Sequence, residues 1–139
     1  MKFLRCLLIL LSLAAARPAW ADIVVVTPMQ SGVERLSRDE VTDIFLGRYR
    51  KLPSGLSAVP IDQPASGGLK AEFYRQLVNK GLAEINAYWA RLFFSGKTSP
   101  PLQANSPAEV LTLLANTPGA IAYVDRKQVD GRFKIVLEF

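Results

Sequence analysis

Histidine is absent from the 139-residue sequence, and the single cysteine is Cys6, within an apolar stretch near the N terminus. We expect this stretch to be cleaved off, which leaves a chain with no thiol and no imidazole. Disulfides, zinc fingers, cysteine or histidine nucleophiles and histidine-based metal sites are thereby excluded. Acid–base chemistry would have to come from Asp, Glu, Lys or Tyr. We therefore expect no catalytic residue, no metal and no cofactor, which disfavours an enzyme.

Long hydrophobic runs are also lacking. The longest, Cys6–Ala16, has 11 residues, well short of the ~20 that a membrane-spanning helix needs. Two basic residues precede this run, and Ala19-Trp20-Ala21 follows it with the small side chains that signal peptidase accepts. The pattern predicts a signal peptide over residues 1–21, cleaved after Ala21, and a periplasmic domain over residues 22–139.

The net positive charge is small once this leader is removed. The whole chain has a net charge of +5, but three of its 17 basic residues belong to the leader. The remaining 118 residues carry 14 basic against 12 acidic side chains, scattered along the sequence. This distribution gives no footprint for nucleic-acid binding. A chain of this length forms one hydrophobic core but not two, so residues 22–139 are expected to form a single domain.

Hydrophobic periodicity predicts strands that alternate with helices. Continuous apolar or alternating runs predict four strands, at Ile23–Val26, Ala58–Ile61, Ala120–Val124 and Phe133–Phe139. Apolar residues at helical spacing, bounded by capping residues and glycines, predict four helices, within residues 37–47, 69–81, 82–96 and 106–116. This order indicates an α/β or α+β domain with a small mixed sheet.

Two of the predicted helices begin with capping signals. Ser37 is followed three residues later by Glu40, and Leu36 and Val41 are placed to form a hydrophobic staple across the helix start. The segment Ser106-Pro107-Ala108-Glu109 has the same capping-box pattern, with proline at the first helical position. We expect both boxes to fix where their helices begin.

Six aromatic residues divide between two faces of the second and third helices. Three lie on the apolar stripes and are expected in the core, namely Phe73, Trp89 and Phe93. The other three lie off the stripes and are expected to line a contact surface, namely Tyr74, Tyr88 and Phe94.

A basic run, Arg48-Tyr49-Arg50-Lys51, lies after the first helix. Runs of cations are most often solvated surface loops. The alternative is a contact point for an acidic partner or for lipid head groups. The run by itself leaves these interpretations open.

The segment Ser66-Gly67-Gly68 lies between the second strand and the second helix. Glycines there allow the backbone to approach a ligand closely, and the unpaired amides at a helix N terminus attract an anion. Lys70, one turn into the helix, either adds positive charge or is solvated. The alternative is that Ser66 is only the N-cap of the helix and the glycines form a turn. The motif alone leaves both interpretations open.

Seven segments stand out together along the chain: Leu36-Ser37-Arg38-Asp39-Glu40-Val41-Thr42-Asp43-Ile44-Phe45-Leu46-Gly47, Ala58-Val59-Pro60-Ile61, Ser66-Gly67, Phe73, Tyr88-Trp89, Phe94-Ser95-Gly96 and Pro118-Gly119-Ala120-Ile121-Ala122-Tyr123-Val124. In this order they resemble the phosphate-binding subunits of bacterial phosphate ABC importers. Full-length members of that family are type II periplasmic binding proteins, whose two α/β lobes close on the anion. The resemblance implies an α/β fold in a short form with a single type II periplasmic binding protein-like lobe.

The resemblance also implies where an anion binds. The family's loop has the pattern Arg-x-x-Gly-Ser-Gly-Thr, whose hydroxyls, amides and cation contact phosphate. Ser66 and Gly67 match it, whereas Gly68 replaces the threonine, an alanine replaces the first glycine, and Asp62 falls at the arginine. Lys70 is the nearby cation that remains. Because charge-assisted hydrogen bonds are about twice as strong as neutral ones, we expect weak binding that an Asp62→Arg substitution would strengthen.

These inferences predict a periplasmic solute-binding-type protein related to phosphate transport. We expect it to bind phosphate or another small anion at Ser66, Gly67, Gly68 and Lys70, and to work with a membrane transporter rather than with nucleic acid. The alternative is a noncatalytic interaction or regulatory module that has lost ligand transport and docks on a membrane partner such as a sensor. The absent second lobe and the missing arginine support that alternative.

Overall fold

The computed structural model describes residues 21–96 and 98–139, so the predicted leader lies outside the described residues, apart from Ala21. The strands are β1 (Ile23–Pro28), β2 (Val59–Asp62), β3 (Leu102–Gln103), β4 (Ala120–Asp125) and β5 (Phe133–Glu138). The helices are α1 (Arg38–Phe45), α2 (Leu69–Val78), α3 (Leu82–Ser95) and α4 (Pro107–Asn116). Within the described ranges, no helix is both long and apolar enough to cross a membrane.

The five strands form one mixed sheet in the order β3-β2-β4-β1-β5. Strand β2 runs parallel to both β3 and β4, whereas β1 is antiparallel to β4 and β5. The expected α/β fold with a small mixed sheet and four helices is confirmed.

Strand β1 is apolar on both faces because each face meets a different core. Ile23 and Val25 pack among α1, α2 and α3, while Val24 and Val26 pack against α4 on the other side. Successive side chains of a strand point to opposite faces, so the continuous apolar run follows from burial on both sides. The molecule therefore has three layers, with the sheet in the middle.

The capping signals are confirmed in one helix and partly in the other. In α1, the Ser37 hydroxyl accepts from the Glu40 amide at 3.1 Å, and the Ser37 amide donates to the Glu40 carboxylate at 3.0 Å. In α4, the Ser106 hydroxyl accepts from the Glu109 amide at 3.1 Å. The Glu109 carboxylate, however, accepts from the amide of Asn105, at 3.2 Å, so the second box is not reciprocal.

Glycine at position 119 allows β2 and β4 to meet at their starts. A Cβ atom at Gly119 would lie 2.0 Å from the carbonyl oxygen of Ser57, far inside van der Waals contact. The Gly119 carbonyl accepts from the Val59 amide at 2.9 Å, which begins the pairing of the two strands. The close approach explains why the turn before β4 contains glycine.

The structure differs from the sequence-based expectations at one strand and at two aromatic residues. Strand β3 lies in a segment for which no strand is predicted, because its pairing with β2 involves only two residues and leaves no periodic pattern. Phe93 was expected in the core but is 73 % exposed, because α3 extends past the elements that cover its earlier turns. Tyr74 was expected on a contact surface but is fully buried, because its hydroxyl has a hydrogen-bond acceptor inside the protein.

Candidate functional site

The loop Ser66-Gly67-Gly68 follows the carboxyl end of β2 and leads directly into α2. Gly68 is the N-cap residue of α2, with φ 82°, and Gly67 has φ 94°. Both values lie in the left-handed region that glycine adopts without strain. The interpretation that Ser66 is the N-cap is therefore wrong, since the cap is Gly68.

The start of α2 is open to solvent. All three loop residues are exposed, and no atom lies within 4 Å of where a Cβ atom of either glycine would be. Among the described residues, no side chain caps this helix. The first amides of a helix have no partner within it and lie at the positive end of its dipole. The loop therefore presents free N–H groups and the Ser66 hydroxyl to any small anion that approaches.

Lys70 lies close to this loop in the sequence, but its ammonium group is inside the protein. The residue is 8 % exposed, its Nζ lies 3.6 Å from Asp62 Oδ2, and Nζ donates to Gln103 Oε1 at 3.0 Å. Its charge is thus balanced by a carboxylate before any ligand arrives. The structure places Ser66, Gly67 and Gly68 together at the surface and turns Lys70 toward the interior.

Asp62 is the centre of a buried polar cluster. Its Oδ1 accepts hydrogen bonds from the hydroxyls of Tyr74, at 2.8 Å, and Tyr123, at 2.9 Å. Burial raises the pKa of the Asp62 carboxyl, and the charge of Lys70 and the two tyrosine hydrogen bonds only partly oppose this shift. Burial together with the negative charge of Asp62 also raises the pKa of both tyrosines, so their hydroxyls remain protonated donors.

The surroundings of Asp62 overturn the expectation about an arginine at this position. The side chain of Asp62 points toward two tyrosines in the core, and the residue is only 4 % exposed. An arginine there would bury a second cation beside Lys70 and remove the acceptor of both hydroxyls. Because an uncompensated buried charge is strongly destabilising, we expect Asp62→Arg to impair folding rather than to strengthen anion binding.

Two glutamines connect this cluster to the neighbouring strands. The backbone amide of Gln63 donates to the Tyr123 hydroxyl at 3.1 Å, and the side-chain Nε2 of Gln63 donates to the backbone carbonyl of Tyr123 at 2.9 Å. Gln103 of β3 donates to the Gln63 carbonyl at 2.7 Å. The ring of Tyr123 stacks on Phe73, with centroids 3.7 Å apart and planes 9° apart. These contacts fix the end of β2, and with it the loop that follows.

The tyrosines and Gln103 are the residues that sequence reasoning missed. The sequence pattern predicts only a strand around Tyr123 and no element at Gln103. A carboxylate at the end of a buried strand was the one available signal, because a buried Asp needs donors nearby. Within the described ranges, no group of acidic side chains is arranged to hold a metal ion.

Three solved structures with a similar fold are described as phosphate-transport proteins. The chain superposes on a protein from Clostridium perfringens, assigned as a phosphate ABC transporter substrate-binding protein and solved with bound phosphate, with a TM-score of 0.67 and 18 % identity. A phosphate transport receptor from Vibrio cholerae gives 0.64 and 16 %. PstS from Borrelia burgdorferi gives 0.62 and 14 %. The fold is that of one lobe of a phosphate-binding protein.

The lobe fold accounts for most of this chain but for less than half of each similar protein. Each of the three superpositions covers 84 % of this chain. They cover 44 %, 45 % and 46 % of the Clostridium perfringens, Vibrio cholerae and Borrelia burgdorferi proteins, respectively. The resemblance to phosphate-importer subunits seen in the sequence is thus confirmed for the fold. No protein-family model matches the sequence, and no curated protein matches it significantly.

Proposed function

We propose that the protein is a periplasmic solute-binding-type protein that binds phosphate or a similar small oxyanion at the loop Ser66-Gly67-Gly68. The observation that carries the proposal is the open, uncapped start of α2, where two glycines in the left-handed region expose the backbone amides. This anion-attracting geometry occurs in a lobe fold that a phosphate-bound structure shares.

The buried ion pair between Lys70 and Asp62 leads us to expect weak binding. Lys70 is already engaged with Asp62 and Gln103, so the loop offers amides and one hydroxyl without a free cation. After the cost of ordering, such contacts contribute only a few kcal/mol, which corresponds to a dissociation constant nearer the millimolar range than the nanomolar range. Binding of this strength suits a protein that responds to abundant anion.

Calorimetric titration with phosphate, and separately with sulfate, tests the proposal. We expect Ser66→Asp to abolish binding, because it places a carboxylate among the exposed amides. The side chain at position 66 is exposed, so this change leaves the fold intact. Ser99→Asp is the matched control, since it makes the same change at an exposed position before β3. The proposal fails if neither anion binds the natural protein, or if both variants bind as the natural protein does.

The second candidate function is a noncatalytic interaction or regulatory module that docks on a membrane transporter or sensor. The Asp62–Lys70 pair favours it, because the cation nearest the loop is neutralised from within. The chain also spans less than half of the length of the similar transport proteins. Absence of phosphate and sulfate binding in the titration would leave this second function as the better interpretation.

A further inference from the structure

Lys70 belongs both to the open start of α2 and to the buried cluster around Asp62. The first hydrogen bond within α2 runs from the Glu72 amide to the Gly68 carbonyl, at 3.0 Å. The backbone amide of Lys70 is therefore among the first amides of the helix, which have no partner within it. Its ammonium group lies in the buried cluster instead, with Nζ 3.6 Å from Asp62 Oδ2. One residue thus contributes an amide to the proposed anion loop, Ser66-Gly67-Gly68, and a cation to the interior.

The ion pair between Asp62 and Lys70 is loose. Charge-assisted hydrogen bonds between a nitrogen and a carboxylate are about 2.7–2.9 Å long, whereas Nζ and Oδ2 are 3.6 Å apart. Without Lys70, the Asp62 carboxylate keeps two donors, because the hydroxyls of Tyr74 and Tyr123 bond its other oxygen. Burial also raises the pKa of Asp62, so this carboxyl takes up a proton more readily than an exposed one. The carboxyl group therefore retains hydrogen bonds when the ammonium is elsewhere.

The side chain of Gln103 joins Lys70 to the edge of the sheet. Its Oε1 accepts from Lys70 Nζ at 3.0 Å, and its Nε2 donates to the Gln63 carbonyl, just past the end of β2, at 2.7 Å. These two bonds hold the side-chain amide of Gln103 in one orientation. Because Gln103 is an exposed residue, water replaces Lys70 as the donor to Oε1 when the ammonium moves. The side chain is then free to turn away from Gln63.

Strand β3 is held in the sheet by few contacts. It consists of Leu102 and Gln103, both exposed, and it lies at the outer position of the sheet, beside β2. The pairing continues with the Ala104 amide, which donates to the Asp62 carbonyl at 3.1 Å. Short elements with little buried apolar surface open locally at a low free-energy cost. Loss of the Gln103 side-chain bonds is therefore expected to loosen this strand.

An oxyanion on the loop competes with Asp62 for the ammonium of Lys70. Phosphate and sulfate offer more acceptor oxygens than a carboxylate, and lysine is a strongly hydrated point charge on a flexible stem. A move toward the surface also returns the ammonium to water. We propose that an anion on the loop draws Lys70 away from Asp62 and Gln103 and thereby loosens β3 from β2. This coupling rests on the proposed function at the same loop, and it makes the edge of the sheet responsive to the anion.

The coupling predicts a change in amide exchange that is opposite in sign to that of ordinary ligand binding. A ligand that binds only the folded state stabilises it and slows exchange. The Ala104 amide should instead exchange faster when the anion is bound, by about tenfold, which is the effect of one hydrogen bond. The Val59 amide donates to the Gly119 carbonyl, on the other side of β2, at 2.9 Å. Its exchange should become slower.

Hydrogen exchange followed by NMR tests the coupling on the purified protein, without anion and with saturating phosphate or sulfate. Sodium chloride at the same ionic strength is the blank, because weak binding requires high anion concentrations. Calorimetric titration of the same samples measures anion binding separately. The ammonium signal of Lys70 should be visible before the anion is added, since the residue is 8 % exposed and its protons are shielded from water. This signal should shift with phosphate or sulfate and not with chloride.

Variants at position 70 separate a cation that reaches the anion from a purely structural one. Lys70→Met removes the charge but keeps a long side chain, and it should abolish the faster exchange at Ala104. Because this change leaves Asp62 buried without a cation, Asp62→Asn is also compared with the double variant Asp62→Asn, Lys70→Met. The double variant should bind sulfate about tenfold more weakly than Asp62→Asn. Lys80→Met, past the other end of α2 and with an exposed ion pair, is the matched control and should behave as the natural protein does.

Failure of the coupling is distinguishable from failure of the anion site. If calorimetry shows no binding of phosphate or sulfate to the natural protein, both proposals fall. If an anion binds while exchange at Ala104 slows or stays constant, the coupling alone is wrong. Equal sulfate affinities of Asp62→Asn and the double variant would also overturn it, as would loss of the exchange response in Lys80→Met.

Discussion

Asp62 determines how much charge the loop at the start of α2 can offer an anion. Its carboxylate holds the ammonium of Lys70 at 3.6 Å and keeps it from the loop. Asp62→Asn keeps an oxygen that accepts from the two tyrosine hydroxyls but removes the negative charge. Since a hydrogen bond to a charged group contributes about 1.5–3 kcal/mol, releasing Lys70 should tighten phosphate and sulfate binding about tenfold in calorimetry.

The cost of this substitution to folding should be modest. Burial outweighs the favourable contacts of the Asp62 carboxylate, as its raised pKa indicates, so losing the charge offsets part of the lost ion pair. The free energy of unfolding at neutral pH should change by less than about 2 kcal/mol. Asp130→Asn, which breaks an exposed pair with Arg132, is the control and should leave anion affinity unaltered. Equal affinities of the natural protein and Asp62→Asn would contradict this account of the loop.

The pH dependence follows from the same carboxyl group. Because the pKa of Asp62 is raised above its ordinary value of 3.8, the folded state takes up this proton more readily than the unfolded chain. Stability from this group is therefore fully present below pH 3.8 and is lost as pH rises through the folded pKa. Acidification from neutral pH should stabilise the natural protein relative to Asp62→Asn. Sulfate affinity should rise over the same range in the natural protein and stay flat in the variant.

The exposed loop could be predicted from the sequence, whereas the buried contacts of Asp62 could not. The exposed loop was identified from Ser66 and its two glycines, because local backbone freedom is visible in the sequence. The Asp62–Tyr74–Tyr123 contacts join residues up to 61 positions apart, and no local pattern reports such a pairing. Tyr74 shares the buried face of α2 with Phe73 and Leu77, but the sequence does not show that Asp62 supplies the acceptor that its buried hydroxyl needs.

The serines that cap α1 and α4 contribute to the free energy of unfolding. Ser37→Ala removes one half of a reciprocal capping box and should lower the free energy of unfolding by about 1 kcal/mol. Ser106→Ala should cost less, because Glu109 still holds the amide of Asn105. Chemical denaturation of both variants measures the difference. Ser99→Ala, at an exposed loop position, should change stability by under about 0.5 kcal/mol.

Element order was predictable, while the extent of each element was not. Strands β1, β2, β4 and β5 each bury apolar residues in a recognisable pattern, so the sequence reveals them. Strand β3 has two exposed residues and exists only because it pairs with β2. Helix α3 has a continuous apolar stripe in its sequence. Only the tertiary structure shows that α1 does not extend far enough to cover Phe93 at the end of that stripe. Packing partners, rather than propensity, decide both cases.

At the scale of the whole molecule, we expect export with removal of residues 1–21. Cleavage after Ala21 would leave β1 complete, since that strand begins at Ile23. Mass spectrometry of protein recovered from the periplasm should therefore find Asp22 at the N terminus. Protein that keeps Met1 after export would contradict the predicted leader. The measurement needs no knowledge of the ligand.

The position of β1 has a consequence for how the protein reaches its folded state. β1 lies between β4 and β5 and pairs with both, about 100 residues later in the chain. Such distant pairing requires large loops to close first, which slows folding. The centre of the sheet therefore cannot assemble until the last strand has been synthesised. The sheet of such a chain is incomplete while the chain is being made, and an incompletely folded chain is what passage through a narrow translocation channel requires.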